Sequence, residues 1–515
     1  MPARGDNRPE WSGMKNKPPL LAHFSTPRHF YLFDAPTNEI LQVSEALWTA
    51  SQDPHFWEAA RHAPQAGDAM QRQRFPAIQS SDYSAIAQAR EEINALGASR
   101  PTQLRLFADA AQYRAELNAS IGHLILNITD QCNFRCAYCV YSGHYQDRRQ
   151  HGNHTMSADT ARAAVDLFLR HNRNAEFTNI GFYGGEPTTH FSVIEETVDH
   201  VERVKDREVR YGVTTNGYDL SDAMLDFLIR HRFNILVSLD GPVDTHDRFR
   251  KTAGGKQTFA RVYRTLERLR EKDADFFKVK VGLSIVAAPP YDMRALKTFF
   301  DADPLLKNVR KSITQVSAEE TDFFDSTEAV AARRIGAPEG GDLDAMKSEY
   351  KQNLVAGEPE KSPFLAALFQ HDVANLHNRT LYPQGYAGAI YPNGICKPGI
   401  RKLFISHDGQ AHICERVNAT LAIGDIVNGI DVEKASTLLN DYLDQSNARC
   451  LDCFANRHCS ACFATSFSSG GFRHAEKQAL CANIRTKLTA TLADYCEVLE
   501  ANPQAFDFTE HVYSG

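Results

Sequence analysis

A chain of 515 residues, 43% of them hydrophobic, is long enough for several domains with large cores. Its net charge of −7 carries no basic footprint for nucleic acid, and no run of about 18 apolar residues marks a membrane span. The polar stretch Met1–Lys17 lacks the apolar centre of a signal peptide, so residues 1–18 are expected as a disordered lead-in, and the eleven cysteines as metal or cluster ligands in a reducing cytoplasm rather than as disulfides.

His29–Val43 reads as two short strands around a Pro/Asn turn, followed by a helix over Ser44–Ser51 and another over Tyr83–Leu96 that ends at Gly97. From Ile121 to about Ser317 strands and helices alternate. The strand-like runs are Leu124–Ile128, Asn179–Tyr183, Val209–Thr214, Ile235–Leu239, Val279–Val286 and Val309–Val316. Between the first two, Ala161, Ala164, Val165, Phe168 and Leu169 mark one helix face, with Ser157 as its N-cap. Further helices are expected at Val193–Val204, Asp222–His231, Phe259–Glu271 and Met293–Phe300. Such alternation implies parallel βαβ units, with ligand-facing residues such as Thr214–Asn216 and Ser238–Gly241 at the carboxyl ends of strands. Residues 318–387 read as a helical bridge without cysteine, including a loop at 336–341.

Cysteines fall in two sets. Cys132, Cys136 and Cys139, with Tyr138 just before the last, form a CxxxCxxC run after the first strand-like stretch. Three thiolates this close suit three irons of one 4Fe–4S cluster, and the iron left open marks chemistry rather than structure. Alone, the run would also suit a zinc site or a ferredoxin-like cluster. The next strand-like stretch ends in Gly184-Gly185-Glu186-Pro187. In the C-terminal third, Cys396 and Cys414 flank Gly409, then Cys450, Cys453, Cys459 and Cys462 follow as C-x2-C-x5-C-x2-C, and then Cys481. C-x2-C pairs are a zinc signature too, but seven ligands do not divide into two closed tetrahedral sites. Cys496 reads as a small buried hydrophobe.

The CxxxCxxC run with Tyr138, together with the GGEP turn, resembles the radical S-adenosylmethionine (SAM) enzymes. The resemblance implies an α/β fold with a partial (β/α)6 barrel, and a SAM-binding 4Fe–4S cluster on Cys132, Cys136 and Cys139. It implies that Gly184, Gly185, Glu186 and Pro187 present backbone to the SAM amine. Ser238-Leu239-Asp240-Gly241, followed by Arg250, resembles the same family, implying that Ser238 and Arg250 face the ribose or carboxylate of SAM while Asn216 lines the pocket. Reductive cleavage of SAM would yield a 5′-deoxyadenosyl radical that abstracts hydrogen. No side chain is assigned a catalytic role.

The second cysteine set resembles the SPASM domain, which carries two auxiliary 4Fe–4S clusters and would bring the total to three. One would take Cys450, Cys453, Cys459 and Cys481. The other would take Cys396, Cys414 and Cys462, leaving an iron without a cysteine. The family pattern has three residues before the last cysteine of the tight quartet, where this chain has only Ser460 and Ala461. The N-terminal hairpin and helices resemble the RiPP recognition element, a winged-helix-like module that binds the leader of a ribosomally made peptide as an added strand. The resulting division is a lead-in at 1–18, the recognition module at 19–98, the barrel at 99–317, the bridge at 318–387, the SPASM domain at 388–485, and a C-terminal helix and tail at 486–515. Tyr141-Ser142-Gly143-His144-Tyr145 resembles maturases that install thioether links. The expected protein is therefore a peptide maturase whose partners are a precursor peptide and an electron donor such as flavodoxin or ferredoxin, with neither nucleic acid nor membrane. Carbon–carbon or ether crosslinking, epimerisation and formylglycine formation are the alternatives within this class. Outside it stands an iron–sulfur electron carrier or a zinc-binding interaction protein.

Overall fold

The computed structural model of the chain describes residues 18–57, 100–107, 109–145, 148–317, 321–334, 341–394, 396–417, 419–468 and 471–509. The expected helix at Tyr83–Leu96, nearly all of the lead-in and most of the loop from Gly336 lie outside them.

The chain enters through an antiparallel sheet of three strands, β1 (Leu21–Ser25), β2 (Phe30–Asp34) and β3 (Glu39–Val43), in that order. The expected β2–β3 hairpin pairs Phe30 with Val43 and Leu32 with Leu41. Asn38 takes a φ of +63° in its turn, a conformation asparagine tolerates. Ser44 caps the helix Glu45–Ala50 by accepting from the Leu47 amide at 3.2 Å. This sheet is tied to distant parts of the chain. The Tyr31 hydroxyl donates to Glu500 at 2.7 Å, and Arg457 Nε donates to the Ala35 carbonyl at 3.1 Å. A short strand β4 (Gln103–Leu104) pairs with β11 (Ala389–Ile390).

Then come β5 (His123–Thr129), β6 (Asn179–Gly184), β7 (Arg210–Thr215), β8 (Asn234–Ser238), β9 (Val281–Ala287) and β10 (Arg310–Gln315). They lie side by side in chain order, all parallel, because each consecutive pair is joined by a helical crossover. β5 is buried at six consecutive positions, as a parallel strand covered on both faces must be. The helix Ala158–Arg170 covers it through Ala161, Ala164, Val165 and Phe168, all fully buried, and Ser157 Oγ accepts from Thr160 N at 3.0 Å. Truncating Phe168 to alanine would cost about 3–5 kcal/mol.

On its other side β5 pairs in parallel with β12 (Lys402–Ile405), which places Leu403 beside Leu124 and Ile405 beside Leu126. β13 (Gln410–His412), β14 (Ala422–Asp425) and β15 (Gly429–Ile430) continue antiparallel. The six parallel βα units are thus present in an open ten-stranded sheet, and a strand from the cysteine-rich C-terminal third belongs to it. The bridge is helical at Thr327–Arg334, Gly341–Val355 and Pro363–His377. The last two pack on the 28-residue helix His474–Ala501, which carries Cys481 and Cys496. Among the described residues no helix is long and apolar enough to cross a membrane.

Candidate active site

Parallel strands bring their carboxyl ends to one edge. β5 runs straight into the loop that holds Cys132, Cys136 and Cys139, all free thiols. Two backbone amides point at sulfur: Phe134 N donates to Cys132 Sγ and Tyr141 N to Cys139 Sγ, each at 3.4 Å. The loop is anchored to the segment after Arg250 by Arg135 N to Lys251 O and Ala253 N to Asn133 O, both 2.8 Å. Burial pushes the Cys132 thiol up to about 12 and also raises Cys136 and Cys139, while Arg250 pulls Cys136 and Cys139 the other way. Bare thiolates are disfavoured here, and a cationic centre between the three sulfurs would favour their anionic form.

The GGEP turn lies against this loop. Gly185 N donates to Thr129 O and Glu186 N to Gln131 O, both at 2.7 Å. With those amides engaged, carbonyl oxygen is what the turn can offer a ligand, and carbonyls suit an ammonium group. The glycines are required by a different backbone: a Cβ on Gly184 (φ +137°) would meet Thr129 O at 2.4 Å, and one on Gly185 would meet Gln131 O at 2.2 Å. Glu186 is turned inward. Its Oε1 accepts from Thr188 Oγ1 (2.6 Å), Thr215 Oγ1 (2.7 Å) and Thr188 N (3.1 Å), and its Oε2 from Asn216 N (2.6 Å). It therefore locks the end of β6 to the end of β7. Pro187 is buried and opens the short 3-10 turn that Glu186 caps. Asn216 reaches back to the cysteine loop, with Nδ2 2.6 Å from Asn133 Oδ1 and 4.0 Å from Cys132 Sγ.

At the end of β8, Ser238 is buried. Two residues on, Asp240 gathers three donors. Its Oδ2 accepts from the Tyr138 hydroxyl and from Arg250 Nε at 2.8 Å, and its Oδ1 from Val286 N at 3.0 Å. The Arg250 guanidinium lies 5.5 Å from the centre of the Tyr138 ring. Tyr138 and Arg250 thus meet through Asp240, a residue the spacing of the motif did not single out. The signal was its place in the SLDG quartet at the end of a strand, since a buried carboxylate requires donors.

Electrostatic coupling links the seven C-terminal cysteines, with Cys462 and Cys481 as common neighbours. Cys396 and Cys414 each feel Cys462, while Cys450, Cys453 and Cys459 each feel Cys481. Burial raises all five of the former thiols, Cys414 and Cys459 to about 11. Buried Lys477 donates to Cys450 Sγ at 3.7 Å and sits over the Tyr442 ring at 4.9 Å. Cys496 belongs to neither group. It is buried in the long helix, and burial, then Glu500, push it up to about 12.

Residues 126–301 match the family described as the radical SAM superfamily. Over 168 residues the chain is 24% identical to the radical SAM cyclopropyl synthase TigE of Paramaledivibacter caminithermalis, covering 31% of this chain and 35% of the relative. Over 156 residues it is 27% identical to the cysteine-type anaerobic sulfatase-maturating enzyme of Clostridium perfringens, covering 30% and 42%. The chain therefore spans less than half the length of these relatives. The solved structure described as native anSMEcpe with bound AdoMet and Cp18Cys peptide overlays with a TM-score of 0.52 at 17% identity, covering 76% of this chain and 99% of that one, a likeness of fold. The strands β6 to β9, most of β5, the cysteine loop after β5 and the GGEP turn after β6 lie within the matched span, and the chain carries a radical SAM domain over residues 126–301.

Proposed function

We propose that the chain is a radical SAM maturase of a ribosomally made peptide. The observation that carries this reading is the loop after β5, which holds Cys132, Cys136 and Cys139 beside the GGEP turn, within the span that matches the radical SAM superfamily. Cys132, Cys136 and Cys139 would hold the SAM-binding 4Fe–4S cluster. Their buried pocket and the two N–H···S bonds suit metal-bound sulfur. Cys450, Cys453, Cys459 and Cys481 would hold one auxiliary 4Fe–4S cluster of a SPASM-type domain, and Cys396, Cys414 and Cys462 the other.

Bound SAM, once reduced, supplies a 5′-deoxyadenosyl radical. The chain's own residues bind and orient it. Backbone carbonyls of the Gly184–Pro187 turn would accept from the SAM ammonium, although that of Glu186 already accepts from Thr189 Oγ1 at 2.7 Å. Asn216 and the Ser238 hydroxyl line the pocket. Asp240 fixes Arg250 by its Nε, leaving the outer guanidinium nitrogens for a carboxylate or ribose oxygen. Tyr138 buttresses that pair. The N-terminal sheet would act as the recognition element, with the leader adding to the edge strand β3. A flavodoxin or ferredoxin would deliver electrons.

The product favoured here is an intramolecular thioether. Its support is the sequence of the stretch Tyr141–Tyr145, which resembles maturases that install thioether links. A second reading, formylglycine formation, is favoured by the likeness to a sulfatase-maturating enzyme. Anaerobic reconstitution with SAM and dithionite tests the class: 5′-deoxyadenosine must form. Replacing Cys132, Cys136 and Cys139 by alanine must abolish it and remove about four of roughly twelve irons. SAM cleavage surviving in that variant overturns the proposal. With a Cys-containing precursor, a cysteine that no longer alkylates in a peptide that a hydrazide does not capture indicates the thioether, and an aldehyde captured by the hydrazide indicates formylglycine.

A further inference from the structure

Asp130 sits where β5 ends, and two histidines from separate segments converge on it. His407 Nε2 lies 3.0 Å and His154 Nδ1 3.4 Å from the same oxygen, Oδ2. The two imidazoles are stacked, with centroids 4.7 Å apart and planes 8° from parallel. All three donor atoms fall within 4.8 Å of one another.

The surroundings prepare this oxygen. Asn127 Nδ2 donates to Asp130 Oδ1 at 3.0 Å, which orients the carboxylate and leaves Oδ2 to face the histidines. Second-shell bonds of this kind hold metal-ligating carboxylates in register. Backbone hydrogen bonds fix the His154 segment, with Asp130 N donating to His154 O at 3.0 Å and Gly152 N to Asp130 O at 3.3 Å. The third donor arrives because β12 runs parallel to β5, so that the turn after Ile405 comes to the same edge. That turn is braced by Ser406 Oγ to Asp408 Oδ1 at 2.5 Å and by Gly409 at φ +86°.

Distance decides what the trio suits. Donors about 2.0–2.1 Å from one zinc ion lie about 2.9 Å apart at right angles and about 3.4 Å apart in a tetrahedron. Both histidine–carboxylate separations lie within that range or close to it, and the third separation is within 4.8 Å, so small ring movements would bring all three donors onto one ion. His154 is 69% exposed, so its ring has room to swing into final position, whereas Asp130 is 9% and His407 23% exposed. Two imidazoles and one carboxylate select a borderline divalent cation over calcium or magnesium.

We infer that Asp130, His154 and His407 form a site for a divalent transition cation, with water completing its coordination. The ion would pin the β12–β13 turn to the strand that leads into the Cys132 loop. It would thus couple the cysteine-rich third of the chain to the radical SAM domain. The competing account is that one carboxylate oxygen simply accepts hydrogen bonds from two neutral imidazoles.

The test uses full-length protein with its iron–sulfur clusters loaded, so that the cysteines are occupied. The probe is zinc alone. Zinc is titrated calorimetrically, and retained zinc and iron are measured by mass spectrometry after gel filtration. The wild type should retain about one zinc per chain, and zinc should slow amide exchange across 406–410. His154→Ala and His407→Ala should each weaken zinc binding by at least about 10-fold with iron content unchanged. His154 is the more exposed, so its variant decides the matter if His407→Ala also loses iron. Failure of the wild type to retain zinc overturns the site, as does equal retention by the His154→Ala protein.

Discussion

Glu186→Gln is an informative single change, because the structure fixes what an amide cannot do. The carboxylate faces two backbone amides that cannot rotate away: Thr188 N on Oε1 and Asn216 N on Oε2. A glutamine has one carbonyl oxygen. Whichever way its amide is turned, the NH2 group opposes one of those N–H donors, while the hydroxyls of Thr188 and Thr215 can adapt. A buried N–H left without an acceptor costs about 1–3 kcal/mol. The loss is local to the ends of β6 and β7. Fragment-resolved hydrogen exchange is therefore a better assay than global unfolding of a chain this long. Exchange across 215–218 should rise about 5-fold to about 150-fold, which is what 1–3 kcal/mol of local opening gives. Burial outweighs the four donors and lifts Glu186 above its ordinary range. The folded state thus holds this proton more tightly than the unfolded one. Stability then falls as pH rises from the ordinary glutamate value to the lifted one, and the Gln variant should lack that slope. Unchanged exchange at 215–218 in Glu186→Gln would refute the reasoning.

Asp240→Ala should strand the Arg250 cation in a buried setting and cost about 3–5 kcal/mol, while Asp240→Ala combined with Arg250→Met should recover most of that. Additive losses in urea midpoints by circular dichroism would show that the two groups are not coupled. Lys477→Met removes a buried positive charge 3.7 Å from Cys450 Sγ, so the reduction potential of the cluster on that quartet should fall in a redox titration followed by electron paramagnetic resonance. An unmoved potential would mean that Lys477 serves packing against Tyr442 alone. A precursor with an intact leader should slow amide exchange over 39–43 in β3 and leave β1 unchanged, since β1 is packed on the long C-terminal helix. Equal exchange in β3 with and without peptide would discard leader capture at that edge.

The central strands were legible because physics writes them twice. A parallel strand buried on both faces, such as β5, is a continuous apolar run, and crossover helices carry an apolar stripe, two of them with a serine cap at Ser157 or Ser221. β5 through β10 therefore fall within a residue or two of where the pattern puts them. β12 to β15 were not legible. They are two to four residues long, and β12 is specified by pairing with β5, a strand far away in sequence. β1 escaped for a related reason, since LAHFS has too little alternation to stand out without its partner β2.

The candidate site shows the same division between identity and reason. The GGEP glycines stand out as letters, but what forbids a side chain there is the carbonyl of Thr129 or Gln131, which only the β5–β6 register reveals. Arg250 stands out by its distance from the SLDG quartet, yet its Nε is held by Asp240. These cases share one strand. β5 is flanked on one side by β6, which delivers the GGEP turn, and on the other by β12, which delivers His407. The loop bearing Cys132, Cys136 and Cys139 thus emerges between a segment that faces the cofactor and a segment from the cysteine-rich third. A displacement of β12 would be felt at the cysteine loop through Asp130, two residues before Cys132, without crossing the sheet. The C-terminal third is accordingly part of the architecture that sets this loop, rather than an appendage to it.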